Sequence, residues 1–208
     1  MKLLSNSLKH GEKIAEQYAF CISDKESKIT FGKNLSPHLK WSDFPSRTKS
    51  FVVLCVDKDV PSKADDVNQE GKIIPYTLQR LDFYHWILID IPVSITELLE
   101  GADSNGVVVR GKREQKTEFG VRGINDYTGF MKNNPDMSGD YYGYDGPCPP
   151  WNDELIHHYY FKVFALDVES LHLSGRFFGQ DVLQAMKGHV LDYSEIMGLY
   201  SLNPSIIL

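Results

Sequence analysis

The stretch Ser50-Phe51-Val52-Val53-Leu54-Cys55-Val56, closed by Asp57-Lys58-Asp59-Val60-Pro61, decides the fold class. Its first part is apolar at nearly every position and rich in β-branched residues, which suits a strand. A strand wetted on one face alternates apolar and polar residues, whereas a continuous apolar run marks one covered on both faces. Two further runs share this character, His85 to Ile91 and Tyr159 to Leu166, and the three together predict the middle of a β-sandwich.

Shorter signals surround these runs. Lys28-Ile29-Thr30-Phe31 reads as a strand delivered into a turn at Gly32-Lys33-Asn34, and Trp41 starts the next ordered piece. Residues 62–80 and about 100–142 are polar, carry no sustained helical period and predict elaborate surface loops or short hairpins around the β core. Val182, Leu183, Ala185 and Met186 before Gly188 predict a short amphipathic helix, with Asp181 placed to favour its N-terminus. Ile14 to Phe20 suggests another short piece. No internal repeat or low-complexity segment supports a solenoid or a propeller.

A chain of 208 residues with 42% hydrophobic and 24% charged residues can bury a sizeable core, and a single domain spanning residues 1–208 is expected. The net charge of −6 disfavours a nucleic-acid binder, which needs a clustered basic face. Cys21, Cys55 and Cys148 show no CxxC spacing, and Cys55 within its apolar run reads as a reduced core thiol, so a reducing cytoplasm is the expected compartment. Lys9, Glu12 and Lys13 interrupt the N-terminus and no run is long enough to span a bilayer, which predicts neither secretion nor membrane insertion.

The concentrated chemistry lies in four separated segments: Asp57 to Pro61, Tyr84-His85-Trp86, Tyr144 to Pro150, and His157-His158-Tyr159. Asp59 emerges at a strand end on a turn stiffened by Pro61, although Asp57 and Asp59 equally suit Asx-type turn bonds. His85 opens the most apolar strand, as either a site residue or a core histidine with a structural partner. Alternation along a strand sends His157 and Tyr159 to one face and His158 to the other, so the adjacent histidines diverge rather than chelate and no metal site is expected. In Gly146-Pro147-Cys148-Pro149-Pro150 three prolines lack amide donors, leaving the Gly146 and Cys148 amides for a ligand, or else the segment is simply a rigid crossing. Cys148 has no visible activating base. No nucleophile elbow, phosphate-binding loop or dinucleotide fingerprint is present.

Taken in order, Asn34-Leu35-Ser36-Pro37-His38-Leu39-Lys40-Trp41, Asp57-x-Asp59-x-Pro61, His85-Trp86, Asn125-Asp126-Tyr127, Tyr144-x-Gly-Pro-Cys-Pro-Pro and His157-x-Tyr159-x-Phe161 resemble the phosphatidylethanolamine-binding protein family. The likeness runs from about Phe31 to Tyr200, and the Gly-Pro-Cys-Pro-Pro form with Ala185 to Leu191 resembles its bacterial and archaeal, Raf-kinase-inhibitor-like branch. The resemblance implies a Greek-key antiparallel β-sandwich with few short helices and a small cavity for phosphate-like anions. It implies Asp59, His85, Gly146, His157 and Tyr159 as ligand-binding residues, Pro61 and Pro147 as wall residues, and Asp126 at the rim or as support. On this reading the histidines, Tyr159 and the Gly146 amide donate to the anion, while Asp59 orients a histidine or accepts from a ligand ammonium. Lys58 and Val60 depart from the family's usual Asp-Pro-Asp-Ala-Pro.

Three functions compete. A non-enzymatic binding protein for a small phosphorylated or anionic ligand needs only a preformed pocket and no cofactor. A kinase or protease inhibitor or scaffold would use the long loops as a contact surface. An esterase or phosphatase-like enzyme would use the histidines and carboxylate for acid–base work, but no nucleophile or metal is assigned. A homodimer is compatible with the bacterial branch, and the sequence shows no interface for it.

Overall fold

The computed structural model describes residues 1–207. In chain order the strands are β1 (Lys2–Leu4), β2 (Cys21–Asp24), β3 (Lys28–Phe31), β4 (Leu39–Ser42), β5 (Ser50–Pro61), β6 (Arg80–Pro92), β7 (Glu97–Leu98), β8 (Val121–Arg122), β9 (His157–Leu166) and β10 (Val190–Tyr200). Helix α1 (Tyr127–Phe130) precedes β9, α2 (Gly179–Ala185) precedes β10, and a 3₁₀ turn covers Glu16–Tyr18. Five strands form one antiparallel sheet in the order β10-β9-β5-β6-β8, β1-β4-β7 form a second, and β2-β3 stand alone as a hairpin.

The apolar run of β5 divides by period two into both faces of the large sheet. Phe51, Val53 and Cys55 join Trp86, Leu88, Phe161 and Val163, and this core packs against Leu3, Leu39, Trp41 and Leu98 of the second sheet. Val52, Leu54 and Val56 join Ile87 and Ile89 on the opposite face, beneath Phe177, Val182 and Met186 of the α2 segment. The central strands are therefore covered on both sides, as their unbroken apolar character predicts. Each fully buried side chain of this kind contributes about 1.5–3 kcal/mol. Helix α2 starts where Asp181 marks it, its carboxylate accepting from the Phe178 amide at 2.8 Å. Residues 62–80 and 100–142 are almost wholly loop up to the first residue of β6, the second range holding only the two-residue β8 and the four-residue α1. No helix among the described residues is long and apolar enough to cross a membrane.

No pairing was read for Cys21 and Cys148 from their spacing, and the structure supplies one. Cys21 and Cys148 form a disulfide, with Cα atoms 4.7 Å apart, while Cys55 is free and buried. Spacing gave no hint of this pairing, because the bridge closes 127 residues of chain and is set by tertiary packing.

Candidate functional site

The site forms where the large sheet loses its partners. Asp57, opposite Tyr159, is the last β5 residue paired with β9, and beyond it β5 continues against β6 alone. A bulge between Cys55 and Val56 leaves His85 without a register partner on β5, which re-aims its side chain. At this end lies a cavity of about 300 Å³. Asp57, His85, His157 and Tyr159 form its polar base, and its walls are apolar: Ile29 and Phe31 from the β2–β3 hairpin, Val60, Phe83, Phe130 and Met131. An apolar hollow with a few convergent polar groups is the usual form of a small-molecule site.

His157 is held at both ring nitrogens. Nδ1 donates to Asp57 Oδ2 at 2.7 Å and Nε2 to Asp153 Oδ2 at 3.2 Å. Arg80 grips Asp153 with two nitrogens, at 2.5 and 3.0 Å. Burial alone would lower the His157 pKa, but the two carboxylates outweigh it and push it up to about 9. Burial would likewise raise Asp57, and the His157 charge outweighs it and keeps the carboxyl below its usual range. The chain Asp57–His157–Asp153–Arg80 thus alternates in sign and cancels.

His85 behaves differently. Its Nδ1 donates to the carbonyl of Asp145 at 2.8 Å, and burial lowers its pKa below the ordinary value despite the opposing pull of Asp57. The ring is therefore neutral at pH 7, with a proton on Nδ1 and a lone pair on Nε2. Among the described residues Nε2 has no hydrogen-bond partner. Phe83 and Tyr159 pack against the ring at centroid distances of 4.8 and 5.2 Å and fix its orientation. The Tyr159 hydroxyl is buried near Asp57 but outside hydrogen-bond geometry, without a partner, and burial first and Asp57 second hold its proton well above the usual tyrosine range. An unpaired buried hydroxyl costs roughly 1–3 kcal/mol, so its place on a cavity wall points to a partner from outside the chain.

The structure brings His85, His157, Tyr159 and Pro61 to this cavity, and period two separates His157 and Tyr159 from His158 as expected. Other expected site residues stand elsewhere. Asp59 turns outward, its carboxylate accepting from the amide and Nδ1 of His158 at 2.8 and 2.9 Å. A register shift between Asp57 and Val60 breaks the same-face relation of the two aspartates, and Asp57 takes the orienting role expected of Asp59. Asp57 also makes the Asx-type turn, accepting from the Asp59 amide at 2.8 Å. The Gly146 amide is not free for a ligand, since it donates to Asn34 Oδ1 at 2.8 Å. Pro147 lies behind the wall, its carbonyl accepting from the Phe20 and Cys21 amides, while Pro149 and Pro150 line the cavity. Asp126 is a support, accepting from the Tyr84 amide at 2.7 Å. His157 cannot donate to a ligand as expected, because both of its N–H groups are taken. Asp153 and Arg80 went unread, as Asp153 arrives from a loop and Arg80 opens β6 with no local motif to mark either.

The profile of the family described as phosphatidylethanolamine-binding protein matches residues 4–201. The chain belongs to the phosphatidylethanolamine-binding protein family. It is 35% identical over 200 residues to a UPF0098 protein of Aquifex aeolicus, covering 96% of this chain and 88% of the relative. Identity to the UPF0098 protein YbhB of Escherichia coli is 29% over 202 residues, covering 97% and 100%. The crystal structure of E. coli YbcL, described as a member of the mammalian PEBP family, superposes with a TM-score of 0.68 at 28% identity, covering 96% of this chain and 97% of that one. Within this family framework, the buried chain from Asp57 to Arg80 fixes the base of the cavity and leaves His85 Nε2 and the Tyr159 hydroxyl there without a partner among the described residues.

Proposed function

We propose that the protein binds, without turning it over, a small molecule with an apolar body and a phosphorylated head group seated at the base of the cavity. The observation that carries this is the unpartnered Tyr159 hydroxyl beside the open Nε2 of His85, beneath apolar walls. The alternating ionic chain supplies no net charge, so a bare anion gains a cationic partner only when His85 is protonated. A head group with its own ammonium fits better at neutral pH: the ammonium faces Asp57 and the Nε2 lone pair, and a phosphoryl oxygen accepts from Tyr159. The Cys21–Cys148 bridge favours a compartment in which disulfides persist, against the expectation of a reducing cytoplasm.

Calorimetric titration with sulfate, whose charge is constant from pH 5 to pH 8, isolates the His85 proton. Affinity should fall about tenfold for each pH unit above the His85 titration, and His85→Ala should abolish that slope. A flat wild-type profile would sink the reading. Tyr159→Phe should weaken phosphoethanolamine binding about tenfold or more, since a hydrogen bond to a charged group is worth about 1.5–3 kcal/mol. The same change should leave urea stability unchanged or slightly higher, because the buried hydroxyl has no internal partner. A loss of stability without a loss of affinity would mean that Tyr159 is a structural residue.

A further inference from the structure

One wall of the cavity is tied to the rest of the fold by a single covalent cross-link. The β2–β3 hairpin is a two-stranded sheet bonded to no other strand, an arrangement that is marginal on its own. It nevertheless supplies Cys21, Ile29 and Phe31 to the cavity. Its firm attachments cluster at one end. There the Phe20 and Cys21 amides donate to the Pro147 carbonyl at 2.9 and 3.1 Å, the Tyr200 hydroxyl donates to the Cys21 carbonyl at 2.9 Å, and the disulfide joins Cys148. Beyond that end Ile22 and Ile29 pack partly buried against the core, and the turn adds only surface contacts of Lys28, 3.7 Å from Glu70 and 5.6 Å from the Trp151 ring centre. Cys148, by contrast, sits between Pro147 and Pro149 in a segment with little backbone freedom.

Both bridged cysteines line the cavity and Cys148 is partly exposed, so a small thiol can reach the bond from the cavity side. Cys55 is fully buried, and burial pushes its thiol well above its ordinary range, which removes it as an internal exchange partner.

We propose that the Cys21–Cys148 disulfide is a redox latch on the cavity: oxidised, it holds the β2–β3 hairpin as a wall, and reduction by a small dithiol frees that wall and lowers ligand retention. The reductant's thiolate attacks Cys148 Sγ and the S–S bond breaks. Its electron pair leaves on Cys21 Sγ, which takes up a proton. The second thiol of the reductant then attacks the mixed disulfide and releases Cys148 as a thiol. Two electrons and two protons have passed to the protein, and the dithiol has become a cyclic disulfide.

The effect on ligand retention rests on the head-group reading above, whereas the release of the hairpin does not. The test is amide hydrogen exchange on the full chain, oxidised and after dithiothreitol, combined with phosphoethanolamine titration at pH 6. The expected result is exchange at least tenfold faster in residues 20–33 after reduction, with β5 and β9 unchanged, and binding at least fivefold weaker, both restored by reoxidation. The double variant Cys21→Ser with Cys148→Ser should reproduce the reduced pattern without reductant. Unchanged exchange in residues 20–33 would overturn the latch, as would faster exchange spread evenly over the sheet, which would make the bridge a general staple. A freed hairpin with unchanged affinity would overturn the control of binding. If phosphoethanolamine fails to bind the oxidised protein, the head-group reading fails, and the exchange data still decide whether the hairpin is latched.

Discussion

Asp57→Ala should destabilise the protein by about 3–5 kcal/mol, the range for removing one partner of a buried ion pair. The variant leaves the His157 imidazolium fully buried with only Asp153 to balance it, and strips the Asp59 amide of its acceptor. Total stabilities of natural domains are about 5–15 kcal/mol, so the loss is large enough to populate unfolded chains. Urea unfolding at pH 7 measures it directly. A loss below about 1 kcal/mol would show that the ionic chain does not hold the base of the cavity together.

The same chain sets how stability depends on pH. His157 has a folded pKa of about 9, above its unfolded value, so its contribution is complete below about pH 6.5 and is lost as pH rises through 9. Asp57 and Asp153 are lowered, so their contribution is present above their unfolded values and lost as pH falls through the folded ones. Wild-type urea midpoints should therefore be highest at about pH 6.5, declining towards pH 10 as His157 loses its proton and declining below it as the unfolded chain protonates the histidine that the fold holds neutral at position 85. In Asp57→Asn the alkaline decline should shrink. An alkaline decline of equal size in both proteins would assign it to other groups.

Gly146→Ala should be the most disruptive change in the proline-rich segment. A Cβ there would lie 2.0 Å from the Tyr18 carbonyl oxygen and 2.7 Å from the Tyr144 hydroxyl, and the first of these is backbone that cannot rotate away. The shift would spread to the Asn34 contact on its amide and the Tyr127 contact on its carbonyl. A loss of about 3 kcal/mol or more follows, in the range of overpacked cores. Gly129→Ala in α1, where a Cβ meets nothing within 4 Å, is the control and should be neutral or slightly stabilising. Alanine keeps the amide donor, so an unchanged stability in Gly146→Ala would mean that close packing is not why glycine stands there.

The central strands were legible because burial on both faces writes an unbroken apolar run. Even so, β5 extends to Pro61 and β6 begins at Arg80, beyond those runs, since polar strand ends still pair through their backbones. Strand β10 was not read: Asp192, Ser194 and Glu195 make it polar, and it is the edge strand of its sheet, paired with β9 and on its outer side backbone-bonded only to the irregular segment Gly11 to Ile14. At the site, alternation separated His157 and Tyr159 from His158, because strand geometry is local. The exchange of Asp59 for Asp57 was not legible, because it depends on a bulge that only pairing with β6 creates. Asp153 and Arg80 were invisible for a similar reason, since they meet across 73 residues of sequence and only the pairing of β6 with β5 and the folding of the Asp153 loop bring them together at His157. The Gly-Pro-Cys-Pro-Pro segment was legible as a motif but not in its chemistry: its glycine amide serves Asn34 and its cysteine serves Cys21.

The central claim is that His85, not His157, is the histidine that meets the ligand. Imidazole nitrogen NMR during titration with phosphoethanolamine at pH 6 and pH 8 tests it most directly. The expected result is a saturable shift at His85 Nε2, larger at pH 8, where its lone pair is free to meet the ligand ammonium, with His157 remaining a doubly protonated imidazolium at both pH values. A His85 signal indifferent to ligand in the folded protein, or a His157 that changes protonation as ligand binds, would contradict the account.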